Sequence, residues 1–248
     1  MESHDLIIAI LVFVAAVLYS SVGHAGASGY LAAMALASLP PAEMRPTALA
    51  LNVLVAVIAT YRFSSIGAFS HRLFWPLCIS SMPLAYLGGT ITLPGHFYKP
   101  VIGLVLLYAA WKSFQTAASA GSVETRPVAK PVLLVVGGVL GFLSGITGVG
   151  GGIFLSPVLI LCRWANTKEA SGVAAAFILV NSAAGLLGVF STSQTLPSAF
   201  PFWAIAAMFG GIIGAEYGSR RLGNPSIQRL LSLVLLIAGL KMLLTAAQ

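Results

Sequence analysis

Five glycines in eight positions, Gly145, Gly148, Gly150, Gly151 and Gly152, stand in the run Ser144 to Pro157 (SGITGVGGGIFLSP), inside an otherwise apolar stretch from Pro131 to Cys162. Each Gly costs about 1 kcal/mol relative to Ala in a helix interior, so the spacing predicts a break and a second helix starting near Gly152. The first N–H groups of such a helix have no acceptor within it, and the helix dipole adds to their attraction for an anion. At membrane depth, broken helices of this kind hold transported substrates. Close helix packing is the other use such glycines can have.

A second cluster, SSVGHAGASG from Ser20 to Gly29, has the same character. Set at an offset of 123, Gly29 falls on Gly152, His24 on Thr147 and Arg45 on Lys168. The candidate anion-binding residues are therefore Gly23, His24, Gly26, Ser28 and Gly29 from the first cluster and Thr147, Gly148, Gly150, Gly151 and Gly152 from the second. Ser21, Ser28, Ser144 and Thr147 add hydroxyls that either donate to the anion or bond to their own helix backbone. His24 is the one ionisable residue in either cluster, fit to donate to an anion or carry a proton near neutral pH, or else to sit neutral against a freed carbonyl. Asn52 and Asn181 lie inside apolar spans, where an amide lines the path or bonds to a neighbouring helix; they do not coincide at the offset of 123. Arg45 and Lys168 are placed to stand at the two mouths of the path, with headgroup contact as the plainer role.

The run SGITGVGGGIFLSPVLI is similar to the glycine-rich signature of the sulfite exporter TauE/SafE family of membrane transporters. The resemblance extends over nearly the whole chain as two copies of one pattern. It implies a small sulfur-containing anion, sulfite or an organosulfonate, as substrate, with export as the direction. The first cluster, GHAGASG, is poorer in glycine than the family's usual first elbow.

Composition excludes a soluble enzyme. Of 248 residues 58% are hydrophobic and 8% charged, with a mean hydropathy of +0.96, against about 25% charged in a soluble domain. The net charge of +7 is spread singly between apolar runs, which points to membrane topology and away from nucleic acid. Cys78 and Cys162, both within or at the ends of apolar segments, read as buried small residues and give no disulfide framework. The acidic start MESHD lacks the basic region of a cleaved signal peptide.

The elements that must position these residues are eight apolar segments. The first repeat, residues 1–120, holds a long segment at 6–39 and spans at 47–66, 73–94 and 100–120. The second, 121–248, holds 131–162 and spans at 170–190, 200–218 and 227–248. GLVLLYAAWKSF (Gly103 to Phe114) repeats as SLVLLIAGLKML (Ser232 to Leu243) at an offset of 129, pairing Lys112 with Lys241, both placed to snorkel. The long segments are too long for one crossing of a core about 30 Å thick and too short for two, which fits hairpins turning at their glycines.

Hairpins also resolve the charges. If each long segment returns to its own side, Arg45, Lys99 and Lys241 face one side and the other ten of the 13 Lys and Arg residues face the opposite one. Single crossings give seven against six. The asymmetric tally places both termini outside and the 116–130 linker in the cytoplasm, with the two halves inserted oppositely.

The fold class expected is therefore an all-α integral membrane protein of the cell membrane, built from two inverted repeats, each a glycine-broken hairpin plus three transmembrane helices. Its function is secondary transport of a small anion by alternating access. A passive anion channel is one alternative, and an intramembrane serine protease using Ser28 of Gly26-Ala27-Ser28-Gly29 another. No cofactor, metal or catalytic residue is expected. The partners are the bilayer, the anion and a coupling proton or cation.

Overall fold

Proline and glycine set the helix boundaries. Pro41 and Pro131 occupy first-turn positions, where the missing N–H costs nothing, and Gly148 ends a helix in the left-handed conformation that favours glycine. A computed structural model describes residues 3–116, 125–192 and 195–220, with 232, 233, 235–237, 239, 240, 243 and 244. Among these residues the secondary structure is helical throughout: α1 (Ser3–Ser20), α2 (Ala27–Leu36), α3 (Pro41–Ser65), α4 (His71–Thr90), α5 (Gly95–Thr116), α6 (Lys130–Thr147), α7 (Gly152–Leu161), α8 (Thr167–Phe190) and α9 (Phe200–Arg220). Of the expected span at 227–248 only the last nine residues named above are described, all helical, and the middle of the linker lies outside the described residues.

Among the described residues four helices are long and apolar enough to cross a membrane: Pro41–Ser65, Lys130–Thr147, Thr167–Phe190 and Phe200–Gly218. The expected spans at 73–94 and 100–120 appear as α4 and α5, outside that set of four. Residues 130–147, expected as half of a hairpin, have the length of a span on their own.

Both long apolar segments are broken, and at each break the chain doubles back. Gly29 at the start of α2 lies against Ala15 and Tyr19 of α1, which a continuing helix could not reach. In the second segment Gly151 lies against Ser144, and the Arg126 N–H donates to the Arg163 carbonyl at 2.6 Å. That bond ties the approach to α6 to the residues just after α7, so the segment returns to the end from which it started. With 10 residues each, α2 and α7 reach only about 15 Å.

Glycine contacts give the helix directions. Phe13 and Val17 of α1 and Ser21 just after it meet Gly210, Gly214 and Gly218 of α9 in ascending order, and a Cβ on Gly218 would stand 2.0 Å from the Ser21 carbonyl. Val55 meets Gly211, and Arg62 pairs with Glu216, so α3 runs the same way as α9. In a second group Leu77, Ser81 and Ala85 of α4 meet Gly137, Gly141 and Gly145 of α6 in ascending order. Ala68 meets Gly172 and Gly89 meets Gly185, which sets α8 parallel to α4. Between the groups, Leu49 meets Gly185 while Asn52 bonds to Ser182, so α3 and α8 are antiparallel. Thus α1 opposes α6, α3 opposes α8 and α4 opposes α9. Gly88, Gly89, Gly210, Gly211, Gly214 and Gly218 serve as packing residues whose missing Cβ lets backbones touch.

Two sequence expectations change here. Cys78 is buried, but Cys162 is exposed, because α7 ends at Leu161 and leaves it at the C-cap. The short helices α2 and α7 start at Ala27 and Gly152, an offset of 125 and not 123, because the first break holds residues 21–26 and the second only 148–151. His24 consequently corresponds to Val149, with Thr147 still inside α6.

Candidate anion site at the two helix breaks

The second break is a run of left-handed glycines. Gly148, Gly150 and Gly151 have φ of 78°, 79° and 78°, which an L side chain resists. Their neighbours leave no room for one either: a Cβ on Gly150 would lie 2.5 Å from Asn52 Nδ2, and one on Gly151 2.8 Å from the Phe177 ring. The local sequence thus permits only this turn.

Two of its four carbonyls, those of Val149 and Gly151, have donors, as do those of Gly145 and Thr147 just before it. Arg45 Nε donates to Gly145 O (3.0 Å), Tyr98 Oη to Thr147 O (3.2 Å), Asn52 Nδ2 to Val149 O (3.3 Å), and the Gly151 carbonyl accepts from the N–H groups of Phe154 and Leu155. His24 Nε2 lies 3.2 Å from Gly152 O. By contrast, no described residue gives an acceptor to the N–H of Gly150, Gly151 or Gly152. All three are buried.

At the first break the pattern repeats with different residues. Gly23 and Gly26 have φ of 77° and 109°. The Val22 carbonyl accepts from Ser171 Oγ (3.0 Å) and has His24 Nδ1 at 3.2 Å, while the Tyr30 hydroxyl donates to Ala25 O. The N–H groups from Ala25 through Gly29 meet no acceptor among the described residues, and all five residues are buried. A buried polar group without a partner costs about 1–3 kcal/mol. Two clusters of N–H donors, with several of the adjoining acceptors occupied, form surroundings that favour negative charge.

His24 joins the breaks. Its ring lies between Val22 O of the first break and Gly152 O of the second, with Ser156 Oγ also 3.1 Å from Nε2. Of the hydroxyl candidates, Ser21 donates to Leu18 O (2.7 Å) and Thr147 to Leu143 O (2.7 Å), both within their own helices. Ser28 donates to the Tyr19 hydroxyl at 2.6 Å, so the histidine at this break touches Ser156 and not Ser28. Ser144 Oγ is buried with no partner, beside Gly151. Asn52 bonds across helices to Val149 O and Ser182 Oγ (3.2 Å), whereas Asn181 donates to Phe177 O of its own helix (2.8 Å). These two asparagines are 129 apart, whereas the starts of their own helices, α3 and α8, are 126 apart, so they do not form a matched pair.

Arg45 and Lys168 part company. Lys168 is exposed, but Arg45 is 2% exposed and makes no headgroup contact. Besides Gly145 O it donates to Ile91 O (2.7 Å), Gly88 O (2.8 Å) and Gly89 O (2.6 Å), capping the C-terminus of α4. Its Cγ would stand 3.1 Å from a Cβ on Gly148, so a fixed positive charge is built in beside the second break. The cause is the start of α3 at Pro41, six residues before the expected span, which carries Arg45 into the helix and the interior.

Tyr19, Tyr30, Tyr98, Ser156 and Ser171 are site residues that sequence reasoning missed. For Ser156 a signal existed, since it falls one helical turn after Gly152 on the same face. The tyrosines sit in ordinary apolar runs with nothing to mark them.

Comparison with known proteins agrees on one family. The family model described as sulfite exporter TauE/SafE matches residues 8–242. A protein of Sinorhizobium fredii named as a probable membrane transporter is 41% identical over 246 residues, covering 98% of this chain and 100% of that one. Another of the same description, from Methanocaldococcus jannaschii, is 23% identical over 202 residues, covering 76% of this chain and 74% of its own. No solved structure matches the chain.

Proposed function

Because the chain belongs to the sulfite exporter TauE/SafE family of membrane transporters, we propose that it is a secondary transporter exporting a small sulfur-containing anion, sulfite or an organosulfonate. The anion is held between the two breaks by the N–H groups of Ala25 to Gly29 and of Gly150 to Gly152, with Ser144 as a hydroxyl donor. One observation carries this reading: at both breaks carbonyls are held, by Asn52 at Val149 and by Ser171 and Tyr30 at Val22 and Ala25, while every buried N–H group from Ala25 to Gly29 and from Gly150 to Gly152 meets no acceptor among the described residues. Donors preorganised in this way suit an oxyanion and repel a cation.

The two sets of helices, residues 1–120 and 121–248, are inverted repeats in this reading. Support comes from the opposed directions of α1 and α6, α3 and α8, and α4 and α9. Alternating access around a site between such repeats follows. Burial of both breaks favours a site reached from one side at a time over an open pore. The termini lie outside the cell and the 116–130 linker in the cytoplasm.

The test is binding of sulfite, sulfate, thiosulfate, sulfonates and carboxylates to the purified chain, beside the Gly151→Ala variant. Wild type should select the sulfur oxyanions and the variant should bind them at least about tenfold more weakly, from the strain of a left-handed Ala. Equal affinity in the two proteins would overturn the backbone site.

A further inference from the structure

We propose that His24 binds a proton together with the anion, so that the coupling ion of this transporter is H⁺ and its site is the ring between the two breaks. The inference rests on the anion reading above and adds the co-substrate: a proton carried with a monovalent anion moves no net charge, so export runs only while the outward gradient of the anion exceeds the inward gradient of protons. It starts from the partners of the two ring nitrogens.

Nδ1 lies 3.2 Å from Val22 O, and Nε2 lies 3.2 Å from Gly152 O and 3.1 Å from Ser156 Oγ. A carbonyl only accepts, whereas a hydroxyl both donates and accepts. With a neutral ring, one nitrogen carries hydrogen: Nδ1–H donates to Val22 O, Nε2 accepts the Ser156 O–H, and Gly152 O receives nothing from the ring. With a protonated ring both nitrogens donate, to Val22 O and to Gly152 O, and Ser156 turns its hydrogen away. The site therefore accommodates both states without moving a heavy atom, and the proton adds a bond between the breaks.

The charge has one natural partner. Among the described residues no carboxylate touches the ring. Tyr19 and Tyr30 on α1 and α2 have their hydroxyls engaged with Ser28 and Ala25 O. Across the second break, Tyr98 is bonded to Thr147 O and Arg45 to carbonyls, and Arg45 carries a positive charge of its own. On α8 the nearest charged residues, Lys168 and Glu169, lie at the helix start before Ser171, and Glu169 caps Asn166. On α9, Glu216 is paired with Arg62. A protonated His24 is thus left unneutralised until an anion arrives between it and the open N–H groups. Each ligand then favours the other, as linkage requires.

The experiment uses the full chain in detergent with a sulfonate probe, whose own charge is constant between about pH 5 and 8 where histidine titrates. Affinity for the sulfonate should rise about tenfold for each unit of pH lowered, with one proton taken up per anion in a weakly buffered indicator solution. His24→Gln should bind the probe with one low affinity at every pH and take up no proton. Ser156→Ala removes the donor that favours the neutral ring, so the rise should begin at higher pH, a displacement that a merely structural serine would not produce. Sulfonate binding in wild type with flat pH dependence and no proton uptake would overturn the proton site and leave the anion site standing. If none of the sulfur anions bound at any pH, both would fall together.

Discussion

The two breaks reach the same electrostatic result by different means. The second is made by glycine: three left-handed residues in a four-residue turn, with carbonyls capped by Arg45, Asn52 and Tyr98, all from the first half of the chain. The first is a six-residue turn with two left-handed glycines, and its capping tyrosine, Tyr30, comes from its own hairpin. Ser171 and the contact of His24 with Gly152 are its ties to the other half. The second break is therefore clamped from outside, and the first is largely self-supporting. Damage should be more severe at the second.

The largest effect that would sharpen this contrast is expected from Arg45→Gln. Removing a guanidinium that serves four carbonyls should lower stability by about 3 kcal/mol or more, read as thermal unfolding in detergent. Gly150→Ala follows, at about 2–4 kcal/mol, from a left-handed Ala whose Cβ meets Asn52 and Ser182; anion affinity should drop at least about tenfold. At the first break, Tyr30→Phe should cost about 1 kcal/mol by freeing Ala25 O, with a smaller loss of affinity. If the tyrosine variant proved more damaging than the glycine one, the ranking of the breaks would reverse. The smallest effect belongs to Gly67→Ala. Its φ is 69° with nothing within 4 Å of a new Cβ, so about 1 kcal/mol of strain should appear with no change in anion binding.

The glycine break at 148–151 was legible because no helix tolerates that many glycines, and α7 begins at Gly152, where the spacing puts it. That each long segment breaks and doubles back was legible from its length. The first break was misaligned by two residues because its extra chain is not marked by composition: His24 and Ala25 are as compatible with a helix as with a turn. Arg45 was misplaced for a different reason. An arginine at the edge of an apolar run suggests the membrane surface, and only the carbonyls of Gly88, Gly89 and Ile91, distant in sequence, draw it inside. Capping of one break by the opposite half is likewise a tertiary fact, invisible to any local pattern.

Helix α1 lies along α9, and α4 along α6, so each half of the chain has its most intimate neighbours in the other. The proposed alternating access would then not be a motion of front half against back half. The moving parts would be two mixed bodies, α1 with α3 and α9 and α4 with α6 and α8, each stitched from both ends of the polypeptide. A chain cut at its linker should yield two fragments that fold only when made together.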